Sequence, residues 1–251
     1  MSEFPSGDGL RRADFGHYLR QHVEMSLEDR IAWEREKRAI VDAKLRANRL
    51  AQREFRLQRE LGEDYAEATL ETHRIHTGNQ RAVELARSVI DGGFERGAGF
   101  FGTIGNGKTR LAACIARAAI MADRSVRFVT MQGLLDEVKA AFDDEGKAAA
   151  IYGFAMVDVL VVDDLGKQYR TEFAATTEYD FWNMRSAAKK PVFVTANCSP
   201  AALMELYAPS DRTKVRIDPS LGEAVLDRVF SLSGGASNWC RVVGRSERKS
   251  A

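Results

Sequence analysis

The sequence predicts an α/β fold built on a parallel sheet covered on both faces. Three observations carry this prediction. Short apolar runs alternate with helix-like stretches, a glycine-rich loop joins one such run to a helix, and a later run ends in two acids. At 251 residues with 45% hydrophobic content, the chain has room for one large domain and a small one, and its composition is that of an ordinary globular protein.

The elements follow in order. From about Ser26 to Leu61 there is no proline or glycine, and Arg, Glu, Ala, Leu and Gln, all good helix formers, dominate. Ile31, Ile40, Val41, Leu45, Leu50, Phe55 and Leu57 place a narrow apolar stripe on this otherwise polar helix. Ser26 with Asp29 has the form of a capping start, and Gly62 that of a stop. Such a helix buries little by itself, so it either docks on the main domain or projects to meet a partner. The net charge of +1 hides a local excess: Arg35 to Arg59 holds nine basic residues against Glu36, Asp42 and Glu54. That run reads as a solvated helix face or as a nucleic-acid patch.

A helix from about Gln80 to Ile90 leads through "DGGFERGAG" into the short strand "AGFFG", then the loop, then an alanine-rich helix to about Ala122. Next come "SVRFVT" as strand, "MQGLLDEVKAAF" as helix, "VDVLVVDD" as strand, "TEFAATTEYDFWNMRSA" as helix and "PVFVTAN" as strand. There is no internal repeat and no low-complexity tract.

Several chemistries are set aside. Cys114, Cys198 and Cys240 are far apart and form no CxxC pair, so neither a disulfide framework nor a zinc site is signalled, and a reducing cytoplasm suits them. The start "MSEFPSGDGLRR" has no apolar core of signal-peptide length, and no run of about 18 apolar residues occurs. The expected location is therefore cytoplasmic, without a membrane span. His17, His22, His73 and His76 all lie early, leaving the chain from the glycine-rich loop onward no imidazole for a Ser/His or Cys/His pair.

The loop is the strongest signal. Gly102, Gly107, Lys108 and Thr109 satisfy G-x-x-x-x-G-K-[ST], a pattern that arises by chance in roughly 1% of chains this long. Glycines let backbone N–H groups wrap phosphates, Lys108 reaches the β and γ phosphates, and the Thr109 hydroxyl can ligate Mg²⁺. Asp163 stands 55 positions after Lys108, at the end of an apolar strand. There it would hold Mg²⁺ through water, with Asp164 orienting or activating the attacking water. Asn197 closes "VFVTAN", where a polar side chain points at a ligand or merely serves the turn before Ser199 and Pro200. Arg228 in "EAVLDRVFSL" and the arginines of "VVGRSERKSA" are ordinary surface arginines or groups that stabilise phosphoryl charge. Phe181, Trp182 and Met184 read as core packing rather than a stacking platform.

The order of "GTIGNGKTRLA", "VDVLVVDDLGKQ", "VFVTANCSP", "VLDRVF" and the terminal "GRSER" resembles that of AAA+ ATPases of the DnaC/DnaI helicase-loader group and their IstB-like relatives. The resemblance covers about Asp64 to the C-terminus. It implies an AAA+ P-loop core with sheet order 5-1-4-3-2, no separate lid domain, and ATP bound between adjacent subunits. Only 54 residues follow Asn197, too few for the helical lid of most AAA+ proteins. Carried over by position, Gly102, Gly105, Asn106, Gly107, Lys108 and Thr109 bind the nucleotide, and Thr109 and Asp163 serve the metal. Asp164, Asn197 (sensor 1), Arg228 (arginine finger) and Arg248 (sensor 2) are the expected catalytic residues, with Arg245 a rival to Arg248.

The chain departs from the family pattern in four places. Asp164 stands where relatives usually have Glu, "SER" stands for "SYR", and "YAPSDRTKVRIDPSLGE" is longer than its counterpart in typical loaders. Residues 1–62 lack the Cys/His ligands of zinc-bearing loader domains and resemble instead a helical adaptor that grips the replicative helicase. The implied division is 1–62 as helicase-binding adaptor and 63–251 as ATPase domain. The implied function is ATP-dependent loading of a DnaB-type helicase onto single-stranded DNA, with Lys139, Phe142 and Lys147 placed where this group contacts the strand. The alternative is a transposition helper of the IstB kind that multimerises on duplex DNA. A third possibility is an adaptor for which ATP is only a conformational ligand, kept open by Asp164.

Overall fold

Each apolar run read as a strand forms one, and all the strands of the sheet are parallel. The computed structural model describes residues 26–141, 143–208 and 219–244. By its contacts the chain divides between Gln52 and Arg53 into two compact units.

In the first unit, the described residues belong to helix α1 (Leu27–Tyr65). Its start is the expected cap: the Asp29 amide donates to Ser26 Oγ at 3.1 Å and Ser26 Oγ donates to the Asp29 carboxylate at 2.7 Å. Ile31, Ile40, Val41, Leu45 and Leu50 are all exposed, as are the basic residues between them.

The second unit opens with the rest of α1, which is docked. Leu57 and Leu61 are buried, Arg53 pairs with Asp123 at 2.7 Å, and the Glu60 carboxylate accepts from the Phe128 amide at 3.2 Å. Gly62 (φ 64, ψ 179) breaks the helical backbone at the expected stop, and the chain turns once more to Tyr65.

The remaining elements are α2 (Gln80–Asp91), β1 (Ala98–Phe101), α3 (Lys108–Met121), β2 (Val126–Thr130), α4 (Met131–Ala140), α5 (Asp144–Ala155) and β3 (Val159–Leu165). They continue with α6 (Glu172–Ala187), β4 (Val192–Ala196), α7 (Pro200–Tyr207), α8 (Pro219–Leu232) and β5 (Trp239–Arg241). The five strands lie in the order β2-β3-β4-β1-β5, which is the order 5-1-4-3-2 read from the other edge. Among the described residues no helix follows β5.

Apart from Asp163 and Asp164 at the carboxyl end of β3 and Thr195 in β4, these two strands are apolar because both their faces are covered. Successive residues feed opposite cores: Val159 and Val161 pack with Leu57, Val83, Leu111 and Ile115, whereas Leu160 and Val162 pack with Leu134, Phe154, Trp182 and Val229. Phe181 and Trp182 are fully buried and meet edge to face at 4.6 Å, so they are core residues.

The sequence reading leaves residues 144–155 without an element, and the structure makes them α5. Gly146 and Gly153 weaken helix propensity there. Two things outweigh this: the Asp143 side chain caps the Gly146 amide at 2.8 Å, and Ile151, Phe154 and Ala155 are buried against the sheet.

Candidate nucleotide-binding site

The site gathers at the carboxyl ends of β1, β3 and β4, where open parallel sheets bind their ligands. At the end of β1 the chain enters the loop through Gly102, whose amide donates to the Ala196 carbonyl of β4 at 3.2 Å. Only glycine fits: φ is 147°, and an added Cβ would lie 2.2 Å from the Val242 carbonyl oxygen. Gly107 takes the left-handed conformation (φ 83°) that turns the chain into α3. The helix thus begins at Lys108 with its free N–H groups facing the loop. Asn106 ties the loop down, its side-chain amide donating to Thr103 Oγ1 at 2.8 Å and to the Val242 carbonyl at 3.0 Å.

Lys108 is 5% exposed and donates to the Thr103 carbonyl at 2.7 Å. Burial lowers its pKa, and Asp164 and Asp163 oppose that shift. Thr109 Oγ1 donates to the Asp163 carboxylate, 3.1 Å from one oxygen and 3.2 Å from the other. Asp163 is itself buried, and burial raises its pKa against the opposing hydrogen bonds from Thr195 and Thr109. A buried carboxylate disfavoured as an anion, with a hydroxyl beside it, fits a hard divalent cation, which would relieve the lost solvation and take oxygen ligands. The glycine cradle and the buried ammonium fit a polyphosphate in the same way.

Asp164 is held by three neighbours. Its amide donates to Thr195 Oγ1 at 3.0 Å, Asn197 Nδ2 donates to its Oδ1 at 3.1 Å, and Lys167 Nζ lies 2.7 Å from its Oδ2. Its φ of 56° is unusual for a residue other than glycine, and the β3–β4 register shifts between Val162 and Leu165. Asn197 therefore faces the acidic pair and does more than serve the following turn.

Arg228 lies elsewhere on the surface of α8. Its Nη1 donates to the Ala224 carbonyl of its own helix at 2.6 Å, and its guanidinium stands 5.3 Å from the Tyr179 ring centroid. Among the described residues it makes no hydrogen bond or ion pair with Lys108, Thr109, Asp163 or Asp164. Arg245, Arg248 and Phe142 lie outside the described residues, as do residues 1–25. Lys139 is exposed, and Lys147 pairs with Asp144 at 3.0 Å.

Two residues that sequence reasoning missed stand in the site. Thr195 is fully buried, and its hydroxyl donates to Asp163 Oδ1 while accepting from the Asp164 amide. Its signal was available: a hydroxyl inside the apolar run "VFVTA" needs a partner, and it shares a strand face with Asn197 two positions on. Lys167 had no such signal, since a lysine in a loop after a strand is commonplace.

The chain is 25% identical over 212 residues to the replicative helicase loader DnaC of Escherichia coli strain K12, covering 80% of each chain. It is 26% identical over 234 residues to DnaC of Buchnera aphidicola subsp. Baizongia pistaciae, covering 88% of this chain and 87% of that one. Among solved structures, DnaI is similar with a TM-score of 0.57 at 20% identity, over 72% of this chain and 91% of that one. The DnaC helicase loader is similar with a TM-score of 0.53 at 22% identity, over 72% of this chain and 99% of that one. The replication initiator DnaA bound to AMPPCP and single-stranded DNA has a TM-score of 0.56 at 18% identity over 72% of this chain, which spans only 52% of its length. At such identities these structures show the fold alone. Among the described residues no helix is long and apolar enough to cross a membrane. The IstB-like ATP binding protein family matches residues 19–249, a span that contains the loop, the acidic strand and all five strands of the sheet, and the chain belongs to that family.

Proposed function

We propose that the protein is an ATP-dependent loader that places a DnaB-type replicative helicase on single-stranded DNA in the cytoplasm. One observation carries this reading: the similarity to DnaC loaders extends over 80% of both chains and so is not confined to the phosphate loop. Residues 1–62 bind the helicase, with residues 53–62 also completing the ATPase core through Leu57 and Leu61. Neighbouring copies meet through their AAA+ cores with ATP between them.

In this reading the loop amides from Gly102 to Thr109, with Gly105 and Asn106, cradle the phosphates. Lys108 leaves the Thr103 carbonyl for the β- and γ-phosphate oxygens. Thr109 and Asp163 hold Mg²⁺, which when bound neutralises charge on those oxygens. Asp164 orients a water and receives its proton, and Asn197 positions Asp164 through the 3.1 Å hydrogen bond. Arg228, with no partner among these groups in its own chain, acts on the ATP of a neighbour, and Arg248 or Arg245 completes the site. Thr195→Val keeps the shape of the side chain but removes one donor from Asp163 and the acceptor for the Asp164 amide. ATP turnover should fall by about tenfold, with affinity for a fluorescent ATP analogue changed by less than about threefold.

A second reading is favoured by the family match itself: a helper ATPase of the IstB kind that assembles on duplex DNA. Affinity capture of the full chain distinguishes the two. Recovery of its host's helicase hexamer supports the loader, whereas salt-sensitive assembly on duplex DNA without helicase binding supports the helper.

A further inference from the structure

The turn after β3 places a cation on the side chain assigned to water activation. The Lys167 amide donates to the Asp164 carbonyl at 3.2 Å, with φ of 56° at Asp164 and 88° at Gly166. This tight turn aims Lys167 back at Asp164, so that Nζ reaches Oδ2 at 2.7 Å while Asn197 engages Oδ1. The oxygen that would accept a proton from water accepts a hydrogen bond from an ammonium instead.

Half-exposed ion pairs usually contribute little, because two flexible side chains must be ordered to form them. Here part of that ordering is done by the fold. The Gly166 amide donates to Gln168 Oε1 at 2.9 Å, and Gln168 Nε2 donates to Glu178 Oε1 at 2.9 Å and to the Tyr207 hydroxyl. Tyr207 in turn donates to Glu178 Oε2 at 2.7 Å. Gln168, Glu178 and Tyr207 are all buried, so Lys167 sits on a turn anchored from α6 and α7. The aspartate side chain is short, which keeps its carboxylate close to the turn that carries the lysine.

We infer that Lys167 is an electrostatic brake on ATP turnover, a positioning residue that keeps Asp164 from the attacking water until the Asp164–Lys167 pair opens. This rests on the reading of Asp164 as the water-activating residue. Drawing Lys167 away from Asp164 then releases hydrolysis without touching the phosphate loop.

The test uses the full chain and its Lys167→Ala, Lys167→Arg, Asp164→Asn and Asp164→Asn/Lys167→Ala variants. Steady-state ATP turnover and affinity for a fluorescent ATP analogue are measured for each. Lys167→Ala should raise kcat about fivefold and leave affinity within about twofold. Lys167→Arg, which keeps the charge, should stay slow. The double variant should be no faster than Asp164→Asn. An unchanged or lower kcat in Lys167→Ala, or weakened analogue binding, overturns the brake and leaves the ATPase reading standing. If every chain binds the analogue but none hydrolyses ATP, the hydrolysis reading falls, and the brake with it.

Discussion

Lys108→Ala should raise the dissociation constant for ATP at least about a hundredfold, while the folded chain survives. The ammonium is 5% exposed and already desolvated, and among the described residues it donates to the Thr103 carbonyl at 2.7 Å. Exchanging that neutral acceptor for phosphate oxygens creates charge-assisted hydrogen bonds in a water-poor site, each contributing about 1.5–3 kcal/mol. Alanine forfeits these bonds and also leaves Asp163 and Asp164 facing the polyphosphate without the cation that offsets them. The variant lacks no core contact of the sheet, so its thermal midpoint should stay close to that of the parent. Titration with a fluorescent ATP analogue checks this, and undiminished affinity would separate "GNGKT" from phosphate binding.

Arg185→Leu should cost about 4 kcal/mol of stability, roughly a 10 °C fall in thermal midpoint. Arg185 is fully buried on α6, and burial pulls its pKa down to about 9, so it remains charged at neutral pH. It donates to the carbonyls of Ala155 and Val157, each at 3.0 Å, and to Pro191. These carbonyls lie just before β3 and β4. One guanidinium thus fastens the amino ends of the two strands whose carboxyl ends carry Asp163, Asp164, Thr195 and Asn197. Leucine supplies similar apolar volume but leaves those carbonyls without their donor. Lysine keeps the charge but cannot reproduce the planar fork, so Arg185→Lys should recover only part of the loss. Thermal denaturation of the variants beside the parent checks both figures, and a midpoint within 2 °C of the parent's for Arg185→Leu would refute the fastening role.

The phosphate loop was legible because its function is a backbone shape. Left-handed and close-packed positions demand Gly102 and Gly107, and few other residues can stand there. Strands β3 and β4 were legible because burial on both faces leaves an unbroken apolar run. The short β5 offers no such run, and α5 is made by packing and a cap rather than by propensity. The polar groups around Asp163 were only half legible. Asn197 could be placed from its position at a strand end, but Thr195 and Lys167 are commonplace residues whose meaning appears once β3, β4 and the turn after Leu165 are brought together. Arg228 meets the Ala224 carbonyl and the Tyr179 ring and, among the described residues, bonds to none of the nucleotide-site groups, so its expected role rests on motif order. The final arginines and residues 1–25 fall outside the described residues, and their expected roles rest on the family resemblance.

Size-exclusion chromatography with light scattering of the protein mixed with its host's DnaB-type helicase, with and without ATP, bears most directly on the loader reading. The comparison chain should begin at Arg53 rather than Glu63, because Leu57 and Leu61 belong to the core of the second unit and a later start would remove them. A stable complex formed by the full chain and not by the shortened one is the expected result, and would assign helicase binding to residues 1–52. The absence of a complex under every nucleotide condition, with both chains folded, would contradict the loader reading and favour an ATPase that assembles on duplex DNA.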